Sequence, residues 1–88
     1  MKKIFLLATL LSAALYANEL TVAMDALEKG DFKTAFRHFK IAAEQGDPIA
    51  QQNLAVMYNN GYGTKKNREL AAQWFEKADS GHAKVAIR

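Results

Sequence analysis

Three groups of polar residues in this 88-residue chain have side chains of types that do chemistry. Ser80-Gly81-His82-Ala83-Lys84 sets a hydroxyl, an imidazole and an amine close together, the makings of an activated nucleophile for amide or β-lactam hydrolysis. The Ser-x-x-Lys arrangement that performs such chemistry is one residue shorter and sits at the rigid start of a helix. Here the serine stands at the end of a helical pattern, next to the glycine expected to stop it. Residues 80 and 82 also project in different directions. A helix stop carrying exposed polar side chains is the stronger reading, and no catalytic residue is assigned.

The second group is His38 and His82. A metal would need further ligands at matching spacing, and the chain holds no cysteine to supply them. No metal site and no cofactor are expected. His38 is instead read as a partly buried ring between helices. The third group, Lys65-Lys66 with Arg68, puts positive charge beside a helix N-terminus, where it opposes the helix dipole unless an anion neutralises it. A solvated loop is the simpler reading.

The elements around these residues begin with MKKIFLLATLLSAALYA. Lys2 and Lys3, the apolar run Ile4 to Leu15 and the small residues ending at Ala17 follow the order of a secretory signal peptide. The apolar run is shorter than the roughly 20 residues of a transmembrane helix. Cleavage is expected after Ala17, with Ala14 as the rival site, leaving a periplasmic or secreted chain with no stable membrane insertion. Loss of the two lysines lowers the net charge from +3 to +1. The remaining charges are interspersed, so no basic stripe is available to a nucleic acid. Without disulfides, so small a domain must hold together by packing alone.

Four helices are expected over the rest. Asn18 can cap the first, with Leu20, Ala23, Met24 and Leu27 on one face. After Lys29-Gly30, Asp31 caps a second, with Phe32, Ala35, Phe36, Phe39, Ala42 and Ala43 inward and Gly46 as the left-handed stop. Asp47-Pro48 starts a third carrying Ala50, Leu54, Met57 and Tyr58. The loop NNGYGTKK follows, Asn67 caps a fourth helix with Leu70, Ala71, Trp74, Phe75 and Ala78, and Gly81 ends it. Residues 82–88 are expected to form a short helical cap or the start of a further repeat, with Ala83 and Ile87 inward and Val85 beside them. No segment alternates with period two. The fold class is therefore all-α, a short α/α solenoid of two antiparallel helix pairs.

The two pairs resemble one another. Ala23 matches Leu54 and Leu27 matches Tyr58 at an offset of 31, whereas Ala35 matches Ala71 and Phe39 matches Phe75 at 36. The five extra residues lie between Gly61 and Asn67. Helix pairs repeating with a period in the thirties imply a solenoid. The string Ala50-Gln51, Leu54-Ala55, Met57-Tyr58, Gly61-Tyr62-Gly63, Ala71, Trp74-Phe75 and Lys77-Ala78 resembles the Sel-1-like repeat of the tetratricopeptide-like superfamily. The segments are then 1–17 as leader, 18–46 as a first pair nearer the plain tetratricopeptide form, 47–81 as the Sel-1-like repeat, and 82–88 as the cap. Thr64 stands where this family usually has an aliphatic residue, and Asn67 where it often has Asp.

The resemblance implies a protein- or peptide-binding scaffold without catalysis, the first helix of each pair lining the concave face of the stack. The 100° helical step turns Gln52, Val56, Asn59 and Asn60 away from the Ala50–Leu54–Tyr58 stripe, with Asp25 and Glu28 as their approximate counterparts. These six are the candidate binding residues. The C-terminal edge is a candidate for self-association, since repeats bury their apolar faces on their neighbours. Two other readings remain: a β-lactamase-like or cell-wall amide hydrolase, as some cysteine-rich exported relatives are labelled, and a fragment of a longer repeat protein.

Overall fold

The computed structural model describes residues 18–86, with side chains to Ser80. The expected leader and its two cleavage sites, together with Ile87 and Arg88, lie outside the described residues. Within them the chain is all-helical: α1 (18–28), α2 (Phe32–Glu44), α3 (Pro48–Asn60) and α4 (Arg68–Ala86). α3 packs against both α2 and α4, so the helices follow one another in a short solenoid.

Local chemistry sets the boundaries. The Asp31 side chain accepts a hydrogen bond from the Thr34 amide at 3.2 Å. Asp47 accepts from the Ile49 and Ala50 amides at 2.9 and 3.1 Å, with Pro48 in the first turn. Asn67 accepts from the Leu70 amide at 3.0 Å. Each cap satisfies amides that have no partner within their own helix. α3 ends at Gly61, whose φ of 75° lies in the left-handed region, with its N–H donating to the Met57 carbonyl at 2.8 Å.

Two expected boundaries differ. Asn18 is already helical rather than a cap. α4 continues through Gly81 to Ala86 instead of stopping and restarting. Gly81 arrives one residue earlier than Gly46 does in the repeat register. No Asp-Pro follows it, only helix-compatible residues. A glycine inside a helix costs about 1 kcal/mol, too little to break one.

The core is narrow. Among the described residues the largest fully buried side chains are Phe39, Leu54 and Met57, surrounded by Ala23, Ala26, Ala35, Ala42, Ala43, Ala50 and Ala71. Alanines let helix axes approach closely, and the few large side chains fill what remains. Leu20, Leu27, Phe36, Leu70 and Trp74 pack against this cluster partly buried. Phe36 meets Tyr58 edge to face at 5.3 Å, which ties α2 to α3.

Three residues expected inward are exposed: Met24, Phe32 and Phe75. On α1 the buried pair is Ala23 with Ala26, which turns Met24 outward. Phe32 stacks on Tyr62, with ring centroids 4.9 Å apart, and so forms an outer contact between α2 and the glycine loop. Phe75 stands exposed on α4.

Candidate functional site

All six candidate binding residues are exposed: Asp25 and Glu28 on α1, and Gln52, Val56, Asn59 and Asn60 on α3. On α3 the helical step that buries Ala50, Leu54, Met57 and Tyr58 leaves Gln52, Val56, Asn59 and Asn60 on the opposite side. Their polar groups are held lightly. The Asn60 side-chain amide donates to the Val56 carbonyl one turn back at 3.0 Å, and Asn53 does the same to Ile49 at 2.9 Å. Asp25 pairs with Lys29 at 3.1 Å, both well exposed, an i,i+4 contact that is easily exchanged for another partner. Val56 is 39% exposed, an apolar side chain among amides. Gln52 also faces the C-terminal side, where it lines a groove with residues of α4.

His38, expected at a helix interface, is there. Its Nδ1 meets the Glu19 carboxylate, both side chains being largely buried, and this contact fastens α1 to α2. It stands at the register position of Trp74 in the second pair. Composition and periodicity do not reveal this polar link, because residues 19 and 38 meet only once the two helices are paired.

Ser80 and His82 both lie within the continuous helix α4 rather than at a helix stop. The side chains of His82, Lys84 and Val85 lie outside the described residues. Among the described residues no group of three His, Cys, Asp or Glu is placed to hold a metal ion. None of the helices there is long and apolar enough to cross a membrane.

The glycine loop is the structural centre of the second pair. Gly61 and Gly63 both have positive φ, 75° and 72°. The Asn67 amide donates back to the Tyr58 carbonyl at 2.7 Å, closing the loop on α3 just before α4 begins. Gly63 packs directly against the backbone of Phe32 and Lys33 at the start of α2. The loop therefore joins one helix pair to the other.

The Sel1 repeat model matches residues 23–47 and 48–78, more than half of the chain. The chain belongs to the Sel1 repeat family. That match takes in the first pair as well, although it lacks the glycine loop. Proteins of this family are generally helical protein-interaction scaffolds without catalysis.

Two relatives illustrate the similarity. A putative sel1-like repeat-containing protein of Acanthamoeba polyphaga mimivirus is 42% identical over 48 residues, 54% of this chain and 8% of its own length. A chitin synthase regulator of Saccharomyces cerevisiae is 42% identical over 65 residues, 74% of this chain and 9% of its own length. The chain spans less than a tenth of the length of these curated relatives. No solved structure matches it significantly.

Proposed function

We propose that this chain is an exported, non-catalytic scaffold of the cell envelope, binding a protein or peptide segment along the outer face of α1 and α3. The observation that carries the reading is the exposure of Asp25, Glu28, Gln52, Val56, Asn59 and Asn60 on the first helices of two stacked pairs. Such a face presents amides and carboxylates to a partner's backbone and basic side chains, with Val56 as an apolar contact. Many modest contacts of this kind suit an extended or helical segment better than a small molecule. The family supports the scaffold role, and the order of charged, apolar and small residues before Asn18 supports export.

The test is capture from the envelope fraction of the producing cell on the immobilised chain, beside Val56→Asp and Asn59→Asp variants. A partner retained by the native face and lost from both variants supports the reading. Equal retention by all three would remove the face from the account. A nitrocefin assay on the same preparation checks the hydrolase reading, and turnover would overturn the non-catalytic one.

A further inference from the structure

Among the described residues no further helix rests on α4 as α3 rests on α2. In the first pair Phe39, Ala42 and Ala43 are buried in one cluster with Ala50 and Leu54 of α3. The Gln51 side-chain amide donates to the Ala43 carbonyl at 3.2 Å, which places Gln51 over the end of α2. The same register positions on α4, 36 residues later, are Phe75, Ala78 and Asp79. Phe39 is 0% exposed, whereas Phe75 is 39% exposed. Phe75 lines an open groove of about 630 Å³ between α3 and α4, together with Gln52, Ala72, Glu76, Ala78 and Asp79. The groove is the counterpart of the seat that α3 occupies on α2.

Its rim differs from that seat in charge. Glu76 stands where α2 has Lys40, and Asp79 where α2 has the buried Ala43. A helix entering here meets an apolar floor of Phe75, Ala72 and Ala78, edged by two carboxylates. A second copy of the chain is a poor match. At the 31-residue offset its α1 would bring Glu19 to the place of Ala50. Acid would then face acid, which disfavours such a contact.

We infer that the groove between α3 and α4 seats an amphipathic helix of a partner protein, with small and leucine side chains toward Phe75 and a lysine or arginine beside Asp79. The inference rests on the protein-binding reading, but it concerns a second surface, which shares only Gln52 with the outer face of α1 and α3. α4 also runs six residues past Ser80, the counterpart of the last residue of α2, so the wall of this seat is about 9 Å longer than its template.

The probe is a peptide of residues 47–60, lactam-bridged between positions 56 and 60 to hold it helical, in Gln51→Lys and Gln51→Glu forms. Fluorescence anisotropy against the full chain is expected to show the lysine form binding about five- to tenfold more tightly at low salt, with the gap closing as salt rises. Asp79→Lys should reverse the order of the two peptides. Phe75→Glu should abolish binding of both, and since Phe75 and Asp79 are exposed, circular dichroism should show both variants folded. Binding that ignores charge at position 79, no binding of either peptide, or a dimer of the native chain that Phe75→Glu dissolves would each overturn the inference. Val56→Asp, the probe of the outer face, should leave peptide affinity unchanged, so failure of one surface is read separately from failure of the other.

Discussion

A Cβ on Gly63 would lie 2.2 Å from the carbonyl oxygen of Phe32, the first residue of α2. No side chain occupies that space without moving backbone. A close approach of the second helix pair to the first is thus made through a glycine, in a loop that the first pair lacks. Tyr62 stacks on the Phe32 ring beside this contact and holds the loop in place.

Gly63→Ala should therefore destabilise the chain by about 2–4 kcal/mol, since left-handed strain and backbone overlap both contribute. Gly46 is the control. It also has positive φ, but a Cβ there meets nothing within 4 Å, so Gly46→Ala should cost only about 1 kcal/mol. Thr64→Val should be tolerated. Denaturant melts of the three variants check the ranking, and equal losses at Gly63 and Gly46 would contradict the Phe32 contact.

Leu54 and Trp74 separate core from rim. Leu54 is fully buried between α3 and its neighbours, so Leu54→Ala should cost about 2–5 kcal/mol. Trp74 is only partly buried, and the Lys77 ammonium lies 4.7 Å from its ring centroid. Trp74→Ala should cost less, about 1–3 kcal/mol, from partial burial and the lost cation–π contact. Thermal melts that place Trp74 above Leu54 would reverse this picture of the core.

Acid should loosen the start of α2. The Thr34 hydroxyl, then the Thr34 amide, hydrogen-bond the Asp31 carboxylate, and Arg37 adds a smaller attraction; together they hold its pKa below the usual 3.8. A carboxyl with a folded-state pKa below its unfolded value adds stability above the unfolded value. That stability is lost as pH falls from 3.8 through the folded value. Asp31→Asn keeps a capping oxygen without the titration, so its melting temperature should fall less steeply with acid over that window. Parallel acid profiles for both proteins would show that Asp31 carries no such linkage.

Export makes a separate prediction. Intact-mass measurement on envelope-fraction protein should find a mature chain beginning at Asn18. Recovery of only full-length protein from the cytosol would remove the localisation.

Much of this fold was legible in the sequence because caps are local chemistry. Asp31, Asp47, Asn67 and Gly61 do in the structure what their types and positions imply, and the five-residue offset located the loop. What failed to show was coverage. Met24, Phe32 and Phe75 satisfy helical spacing, but periodicity does not say which apolar residues a neighbouring helix covers. Gly81 misled for a related reason, because a glycine stops a helix only when the following residues leave it, and here they do not. The Glu19–His38 contact was invisible because its partners are nineteen residues apart. The exposure of the six residues on α1 and α3 followed from the helical step alone. The groove needed the structure, since its recognition depends on Phe39 being covered and Phe75 not.

Site-specific photocross-linking in the producing cell tests the central claim most directly. A photoreactive residue at Val56, on the outer face of α3, should yield a discrete adduct with a partner protein. The same residue at Arg37, exposed on α2 away from that face, should yield none. Equal labelling from both positions, or no adduct from Val56, would contradict a scaffold that binds through α1 and α3.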